Sequence, residues 1–548
     1  MNLLHAPWMP VRKRDGGREW VGPAQLARPD IVAFDADRAD FNGALAQFAI
    51  GLLQTTAPVE RHSQWRALLN EPPSVATLAQ WFAPVTAAFE FDGDGARFMQ
   101  DPVLATIAGE SHNIAGLLLD TPSENALPLN KDFWVKRGGR NGLCICCAAT
   151  ALFNLQLNAP EGGGGGGGKF VGIRGGGPLT TLVTSNPRRA LWHDVWANVI
   201  EQNVFANLPG DEPGDSFGSV FPWLHNFALA AGTRKELTPA QLAPAHVLWA
   251  TPRRMSVDFD NTKSGTCDVC NRANVQIIES YRDTTGGLHY KQQSLWNHPL
   301  SPYHGKDEEP LQPVRQRSPV AYRDWLGIAA SSGRSGRRSA KVIEHCIAGR
   351  YREMHGQLQV WAFGYDLKKG KPVAWYEATV PLYGLADCDA DAQRRVEAEV
   401  GRWLDAAEMA AYLLRDAVKN AWFKEAPKKA DFSAIDAAFW GGTEAPFYRQ
   451  LQPLIGSAAS GDAFDAITVN TAWLAHLQRH ATGLFDHHFV GTGPVAQQQP
   501  RRIAEAYQVL KRNMYGPKLR ETLGLPVNQA AVAARKVSRT GKARGAKT

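Results

Sequence analysis

The segment LYGLADCDADAQRRVEAEV, Leu382–Val400, separates two stretches of chain with different hydrophobic patterns. Before it, short strand-like runs, Gly/Pro turns and modest helices mix without the regular alternation of a doubly wound sheet. After it, apolar or small residues recur at steps of three and four, as on one helical face. These residues are Val396, Val400, Trp403, Ala407, Ala411, Leu414 and Val418. Asp387, Asp389 or Asp391 can cap the start of this helix.

Three more helical stretches follow, at residues 431–456, 463–488 and 500–515, joined by the short polar connections GSAASGD and GTGPVAQQQP. Four consecutive helices with short connections favour an up-down four-helix bundle. The sequence therefore predicts an α+β fold, with a mixed α/β N-terminal domain and an all-α C-terminal bundle. The predicted limits are 1–385 for the mixed domain, 386–518 for the bundle and 519–548 for a basic, disordered tail.

Composition indicates a globular protein, since 44% of the 548 residues are hydrophobic and 17 are Trp. No apolar run approaches the roughly 20 residues of a membrane helix, and the N-terminus lacks a signal-peptide pattern. We therefore expect a cytoplasmic protein. Six of the +7 net charges lie in the last 17 residues, Val532–Thr548, which leaves the rest of the chain near +1. A nucleic-acid surface on the folded body must then be a local basic patch.

Two CxxC pairs give the strongest spacing signal, Cys144 with Cys147 and Cys267 with Cys270. Four thiolates suit one structural zinc ion in a closed tetrahedral site. The two pairs are 119 residues apart, so such a site would join distant segments. Unliganded core cysteines and a redox-active pair are the alternatives. Cys146 is a spare cysteine beside the first pair.

The stretch NAPEGGGGGGGKFVGIRGGG, Asn158–Gly177, contains seven consecutive glycines. Gly163 with Gly168-Lys169 satisfies the G-x-x-x-x-G-K spacing of a P-loop. However, Phe170 stands where Ser or Thr must bind magnesium, and a helical pattern precedes the glycines while a strand-like KFVGIR follows. A phosphate-binding loop needs the reverse order. A flexible spacer and a backbone that touches a large ligand remain as interpretations.

Two further segments combine glycine with basic residues. LNKDFWVKRGGRNG, residues 129–142, interleaves aromatic and basic side chains, which suits nucleic acid but also an ordinary solvated loop. Its basic residues are Lys131, Lys136, Arg137 and Arg140. GYDLKKGKPVAWYE, residues 364–377, predicts a β-hairpin, which can equally be an ordinary charged turn. The tip of this hairpin comprises Lys368, Lys369, Gly370 and Lys371.

Patterns typical of enzymes are weak. His476 and His480 lie four residues apart on a predicted helix, with His487 and His488 nearby, but no HExxH motif or nucleophile elbow accompanies them. The sequence gives no case for catalysis. A zinc-stabilised, metal-dependent nuclease or hydrolase that uses these histidines is the alternative, and a scaffold that binds only protein is a third hypothesis.

An ordered set of motifs resembles the CasA family, the large subunits of the type I-E CRISPR Cascade surveillance complex. The resemblance covers nearly the whole chain, because the motifs occur in family order and helical stretches follow them. Besides ALFN after the first cysteine pair, they are MNLLHAPWMPV (1–11), RFMQDP (97–102), GIRGGGPLTTLV (172–183), SLWNHPLSPY (294–303) and AFGYDLKKGKPVAWYE (362–377).

The resemblance implies a non-catalytic subunit that recognises the protospacer-adjacent motif (PAM) in double-stranded DNA. Such subunits help to open the duplex for guide-RNA pairing, which forms the R-loop, and help to recruit the helicase-nuclease. The implied partners are target DNA, the helicase-nuclease, and the guide-RNA-containing backbone, small and 5′-handle-end subunits of Cascade.

The resemblance also assigns DNA contacts by position. In the family, a glycine loop brings its backbone to the PAM in the narrow minor groove. In this chain the loop corresponds to the seven glycines before Lys169, which are Gly162, Gly163, Gly164, Gly165, Gly166, Gly167 and Gly168. The family's wedge corresponds to Lys368–Lys371, where Lys369 and Gly370 replace Asn followed by Gln or Met. Since Gly370 has no side chain to insert between bases, the mechanism of strand separation can differ here.

For two other contacts of the family, the resemblance gives a region of this chain and not a single residue. The family's lysine finger falls on Gly287 when counted back from Trp296, and either Arg282 or Lys291 can substitute for it. The loop Lys131–Asn141, which carries Lys136, Arg137 and Arg140, matches a family loop that contacts the complex and nearby nucleic acid. Trp134 stands where the family carries an aromatic residue.

Overall fold

The computed structural model describes most of the chain. The described residues are 1–105, 110–121, 141–162, 168–186, 189–206, 220–225, 229, 232–305, 310–331, 336–354, 357–385, 388–425, 431–490 and 499–527. Lys136, Arg137, Arg140, Gly163–Gly167 and the basic tail therefore lie outside the described residues. The described part mixes helices and strands and ends in long helices, which confirms the predicted fold class.

The two longest helices, of 33 and 28 residues, lie in the last third of the chain. In chain order the helices are α1 (Ala39–Thr56), α2 (His62–Asn70), α3 (Val75–Phe82), α4 (Ile145–Asn158), α5 (Leu191–Trp196), α6 (Gln202–Phe205), α7 (Trp325–Ile328), α8 (Lys341–His345), α9 (Ala390–Trp422), α10 (Ser433–Ser460), α11 (Ala466–Gly483), α12 (Pro500–Met514) and α13 (Pro517–Thr522). Among the described residues, no helix combines the length and the apolar character that crossing a membrane requires.

Most strands are short, apart from one long hairpin. In chain order they are β1 (Met9–Lys13), β2 (Arg18–Val21), β3 (Ile31–Phe34), β4 (Glu110–Asn113), β5 (Leu143–Cys144), β6 (Thr180–Asn186), β7 (Arg234–Leu237), β8 (Arg254–Val257), β9 (Lys263–Gly265), β10 (Val275–Ile278), β11 (Ser280–Thr284), β12 (Gly287–Tyr290), β13 (Tyr303–His304), β14 (Gln312–Pro313), β15 (Arg337–Arg338), β16 (Gln357–Lys368) and β17 (Lys371–Leu382). The sheets that matter below have the orders β5-β10-β9, β4-β11-β8 and β17-β16-β6, all antiparallel.

The described residues pack into two compact units. The first comprises Met1–Val320 and Gly327–Leu382, and the second comprises Ala321–Leu326 and the chain from Tyr383 onward. The short segment belongs to the second unit because Tyr322 donates to or accepts from the Thr443 hydroxyl at 2.8 Å and stacks on Phe447 at 4.5 Å. The limits 1–385, 386–518 and 519–548 remain predictions.

The core of the first unit surrounds α1, which is buried on nearly all sides. The ring of Phe48 on α1 makes edge-on contacts with five other aromatic rings at 5.0–5.9 Å, which fixes their relative orientation. These rings belong to Trp8, Phe89, Phe98, Phe153 and Trp249. Such a packed centre gives the surface strands and loops of this unit a rigid base.

The second unit is organised by α9. Asp389 caps this helix by accepting a hydrogen bond from the Ala392 backbone N–H at 2.7 Å. The seven positions that the helical period assigns to one face, Val396 through Val418, are all buried. This face packs against α10, α11 and α12. The helices are thus confirmed, while their arrangement as an up-down four-helix bundle stays a prediction.

Candidate metal centre and nucleic-acid interface

Strand pairing brings the two cysteine pairs together. Cys144 ends β5 and immediately precedes α4, whose first turn carries Cys147. Cys267 and Cys270 lie in the turn between β9 and β10. Because β5 pairs with β10, with Cys144 opposite Ile277, that turn folds over the start of α4. The backbone hydrogen bonds between β5 and β10 therefore bring together two cysteine pairs that are far apart in the sequence.

The four sulfur atoms form a compact cluster. All lie within 4.8 Å of one another, and the Sγ atoms of Cys144 and Cys270 are 3.6 Å apart. Four thiolates around zinc, with Zn–S bonds of about 2.3 Å, form a tetrahedron whose edges are roughly 3.8 Å. Three of the cysteines are buried and Cys270 is half-buried. The cluster therefore fits a tetrahedral metal ion in a closed site.

The thiols of this cluster perturb one another. Hydrogen bonds with Cys144, Cys267 and Cys270, together with burial, raise the pKa of Cys147 far above its usual range. Hydrogen bonds with Cys144, Cys147 and Cys270 lower the pKa of Cys267. Four thiolates this close repel one another, so a bound cation is what would allow all four to ionise together.

Backbone contacts hold the cluster in place. The Cys144 N–H donates to Cys267 Sγ at 3.2 Å. Asp268 Oδ2 accepts from the backbone N–H groups of Asn141 and Gly142 at 2.7 and 2.8 Å. Cys146 lies outside the four-sulfur group, and its sulfur accepts from Arg272 Nη1 at 3.7 Å. The spare cysteine is therefore a neighbour of the cluster, next to Cys144, and not one of its four candidate ligands.

The glycine run is closed at its base. Gly162 and Lys169 form an antiparallel bridge, in which the Gly162 N–H donates at 3.0 Å and the Lys169 N–H donates at 2.6 Å. The strand expected over residues 169–174 is wrong, because Lys169 forms only this isolated bridge and the chain turns at Ile173 and Arg174. Gly175 and Gly177 follow with φ of 80° and 59°. The described residues 168–179 contain no helix either, so the geometry of a P-loop is not present there.

A buried carboxylate anchors the far end of the run. Lys169 Nζ lies 2.5 Å from Asp283 Oδ2, and His112 Nε2 lies 3.1 Å from Asp283 Oδ1. Asp283 is only 8% exposed, and the nearby Gly286 N–H donates to the Gly168 carbonyl at 3.2 Å. The charge of Lys169 is therefore engaged within the protein. Sequence reasoning missed Asp283, since nothing in the sequence pairs it with the glycines.

The triple glycine 175–177 packs against the end of α4 and strand β16. A Cβ atom on Gly176 would lie 2.7 Å from Pro160 Cα, and one on Gly177 would lie 2.5 Å from the Tyr365 carbonyl oxygen. The Gly177 N–H donates to the Asn158 carbonyl at 3.0 Å. These glycines are therefore needed for close approach between the end of α4 and strand β16.

Substitution of Gly177 by Ala is expected to lower the free energy of unfolding of the first unit by at least about 2 kcal/mol. The added Cβ meets backbone rather than a movable side chain, and φ is positive at this residue. Urea denaturation followed by Trp fluorescence measures the change. Gly172→Ala is the control, because its Cβ would make only an ordinary 3.4 Å contact with the Gln156 carbonyl. Equal stability of the two variants would contradict this packing.

The hairpin tip is a two-residue turn with exposed lysines. Lys369 and Gly370 both have positive φ, 51° and 73°, as in the type I′ turn that joins twisted strands. Lys368 and Lys371 form the last strand pair, and all three lysines are exposed. Among the described residues, no carboxylate forms an ion pair with any of them. This tip is a local basic patch on the first unit.

The hairpin tip lies beside the base of the glycine run. A Cβ atom on Gly370 would lie 3.4 Å from the Glu161 carbonyl oxygen and 3.8 Å from Pro160 Cβ. Glu161 directly precedes the Gly162–Lys169 bridge. Two features that are about 200 residues apart in sequence therefore meet on one surface of the first unit.

The candidates for the lysine finger have different surroundings. Gly287 is buried with φ of 115°, and a Cβ there would lie 2.8 Å from Arg254 Cγ, so this position cannot carry a long side chain. Lys291 Nζ pairs with Glu236 Oε2 at 3.1 Å. Arg282 is exposed on β11, next to Asp283, and forms no ion pair within the described part of the chain. Arg282 is thus the more available cation.

The histidines of the second unit have packing roles. His476 and His480 stack with ring centroids 5.9 Å apart, and His476 also stacks on Trp473. A Cβ on Gly442 would lie 2.4 Å from His480 Nε2, which shows how closely α10 covers that ring. Burial lowers the pKa of both histidines. Within the described ranges, the four cysteines form the only cluster of three or more potential metal ligands.

Comparison with known proteins agrees with this architecture. The family model for CRISPR-associated protein Cse1 matches residues 2–484. A structure of Thermus thermophilus CasA (Cse1) superposes with a TM-score of 0.65 at 16% identity and covers 94% of this chain and 99% of that chain. A crystal structure of Thermobifida fusca Cse1 gives a TM-score of 0.67 at 15% identity and covers 96% and 98%.

A third similar chain comes from a structure described as a CRISPR RNA-guided surveillance complex, with a TM-score of 0.61, 14% identity and coverage of 94% and 99%. At these identities the structural matches establish the fold, and the family model establishes the relationship. Together they confirm the resemblance that the ordered motifs indicate. The chain therefore belongs to the CRISPR-associated protein Cse1 family, which includes the proteins called CasA.

Proposed function

We propose that the chain is the non-catalytic large subunit of a type I-E Cascade complex, which recognises the PAM in double-stranded DNA. It helps to open the duplex for guide-RNA pairing and helps to recruit the helicase-nuclease. The observation that carries this proposal is the surface on which three exposed lysines at the hairpin tip lie beside the base of a seven-glycine run. Family membership and the similar chain in a surveillance complex support it.

The two halves of this surface suit two parts of a DNA duplex. Lysines bind phosphates through charge, whatever the sequence. A backbone without side chains can enter a minor groove about 6 Å wide, where it reads the few donors and acceptors of the base edges. We assign phosphate contact to Lys368, Lys369, Lys371 and Arg282, and groove contact to the glycines.

The tip has to separate strands without a stacking side chain. Gly370 has none, and positive φ at Lys369 and Gly370 presents the turn itself as the leading edge. We propose that the turn and the aliphatic stem of Lys369 occupy the first open step, while the ammonium group holds a phosphate. This differs from a wedge made by an inserted side chain.

We propose that the four cysteines bind one zinc ion and that this ion braces the DNA-binding surface. Helix α4 leads from Cys147 to Asn158, at the base of the glycine run, over about 17 Å. Strands β10 and β11 lead from the turn of Cys270 to Asp283, which anchors Lys169. The ion would thus hold together the start of α4 and the start of β10, the two elements that lead to the glycine run and to Asp283.

The remaining parts of the proposal concern partners and location. We propose that the chain joins the guide-RNA-containing backbone, small and 5′-handle-end subunits, and that the complex acts in the cytoplasm. The chain itself supplies no catalytic step, since the described histidine pair is covered by packed helices.

The proposed opening of the DNA duplex is tested by the reactivity of thymines next to the PAM toward permanganate. With guide RNA, the complex that contains the chain is expected to make these thymines reactive, and the complex without it to leave them protected. In the same reactions with Mg²⁺ but without the helicase-nuclease, the DNA is expected to stay intact. Opening that does not depend on the chain, or cleavage lost in His476→Ala, would overturn the proposal.

A further inference from the structure

The outer edge of β17 is a strand edge that no other described strand covers. Strand β17 is 12 residues long and lies at one side of the sheet β17-β16-β6, where it pairs only with β16. Between Val373 and Val380, no strand among the described residues pairs with its other side. Such an edge exposes backbone donors and acceptors that can pair with another extended segment.

A cleft lies against this edge. It has a volume of about 380 Å³ and is bounded by α1, α5, β3 and the three strands of the sheet. Its floor is apolar and buried, formed by Ala46, Ile50, Leu182, Leu191 and Val195. Its rim carries Phe34, Trp361, Glu377 and Thr379, and the last two belong to β17. The free edge and the cleft are therefore parts of one surface.

The cleft has an acidic character. Asp194 and Glu377 contribute carboxylates, and no Lys or Arg is among its lining residues. Asp194 Oδ1 accepts from the Ser185 backbone N–H and hydroxyl at 2.9 and 2.8 Å, which fixes its position. Glu377 is exposed, and no ion pair with it occurs in the described part of the chain. The chemistry that complements this surface is an apolar group flanked by a cation.

We propose that the β17 edge and its cleft bind an extended segment of a neighbouring protein subunit, which adds a fourth strand to the sheet. The segment places an apolar side chain on the buried floor and a Lys or Arg beside Glu377. That the neighbour is a subunit of the complex rests on the proposed function.

Two other occupants fit the surface less well. A small amine would fill the cleft but leave the backbone groups of the edge without a partner. A second copy of the chain would bring two acidic clefts together, which like charges oppose. A peptide segment can pair with the backbone of β17, place an apolar side chain on the floor and bring a cation to Glu377 at the same time.

The inferred contact would also act on the hairpin tip. Glu377 is six residues from Lys371 along β17, roughly 20 Å. A strand added along β17 would stiffen the hairpin that carries the tip lysines. Assembly of the complex and presentation of the DNA-binding surface would then be coupled through one element.

Site-specific photocrosslinking in the reconstituted complex tests the inference. A benzophenone amino acid replaces Thr379 on the rim, and the adduct is located by mass spectrometry. The expected adduct lies in a segment of another protein subunit that has a Lys or Arg next to an apolar residue. The same probe at Val75, an exposed residue of α3, is the control and is expected to miss that segment. Adducts only within the chain, to a second copy or to nucleic acid, or no adduct, would overturn the inference.

A charge reversal tests the role of Glu377. Glu377→Lys is expected to weaken binding of the chain to the rest of the complex by about tenfold. Glu71→Lys, at an exposed glutamate of the same unit, is expected to leave it unchanged. Equal affinities of the two variants, with equal thermal unfolding, would overturn the acidic cleft as a docking site. If the adduct forms but motif-dependent DNA binding is absent, the proposed function fails while this inference stands.

Discussion

A triple variant of the hairpin tip, with Lys368→Ala, Lys369→Asn and Lys371→Ala, is expected to bind motif-bearing duplex at least about 100-fold more weakly in the assembled complex. The three lysines are exposed and form no ion pair among the described residues, so their charges are available for phosphates. Hydrogen bonds to charged groups contribute roughly 1.5–3 kcal/mol each, which makes this estimate a lower bound.

The substitutions are chosen to keep the turn. Lys369 has φ of 51°, a conformation that Asn adopts more readily than Lys, so Lys369→Asn removes the charge without opening the hairpin. Lys368 and Lys371 are exposed strand ends, where Ala retains the backbone pair. The loss of affinity can then be assigned to charge.

The salt dependence of DNA affinity distinguishes the loss of phosphate contacts from a general weakening of DNA binding. If each of the three lysines neutralises one phosphate, the slope of log K against log salt becomes shallower by about 2.7 in the triple variant. A control with Arg395→Ala, Lys424→Ala and Arg512→Ala neutralises three exposed cations of the second unit and is expected to keep the slope. Identical slopes for the two triple variants would show that the tip does not contact phosphate.

Replacement of Cys267 by Ser is expected to remove the bound metal and to destabilise the first unit by about 4 kcal/mol. That value is the linkage free energy for a site whose free metal stands at about 1,000 times its Kd. Cys267 is fully buried, and its sulfur also accepts the Cys144 backbone hydrogen bond. The variant therefore loses both a ligand and the contact that closes the site.

Elemental analysis and thermal unfolding of untagged protein measure this effect. The wild-type chain is expected to hold about one zinc ion, and Cys267→Ser none. Cys146→Ser is the control, because Cys146 is a buried cysteine next to Cys147 in the first turn of α4 but lies outside the four-sulfur group. Removal of zinc from the wild type by a chelator should lower its thermal stability as Cys267→Ser does, and added zinc should restore it. A metal-free wild type, or equal unfolding of the two variants, would contradict the metal centre.

Features set by local periodicity and spacing could be predicted from the sequence. The helical face of α9 follows from steps of three and four, and all seven of its predicted positions are buried. The Lys369-Gly370 turn follows from a glycine between two strand-like runs. The CxxC spacing identified four cysteines that strand pairing does bring together.

Features set by tertiary contacts could not be predicted. The pairing of Asp283 with Lys169 joins strand β11 to the glycine run, and no local pattern encodes it. Tyr322 and its neighbours enter the second unit through contacts with Thr443 and Phe447, more than 100 residues away. The strand expected over residues 169–174 does not form, because Lys169 makes only an isolated bridge with Gly162 and the chain turns at Ile173 and Arg174. Positive φ at Gly177 suits its close approach to β16.

The family resemblance placed the DNA contacts only by position. The structure adds that Gly287 has no room for a finger, that Lys291 is paired, and that Arg282 is exposed. It also brings the hairpin tip to the base of the glycine run, which sequence comparison alone could not show.

Selection from a duplex library tests the central claim most directly. The library carries a fixed target for the guide RNA beside a randomised flanking sequence, and the assembled complex is tested with and without this chain. We predict that a short flanking motif is enriched only when the chain is present, and that the triple tip variant reduces the enrichment. The same motif enriched without the chain, or no motif enriched with it, would contradict the account.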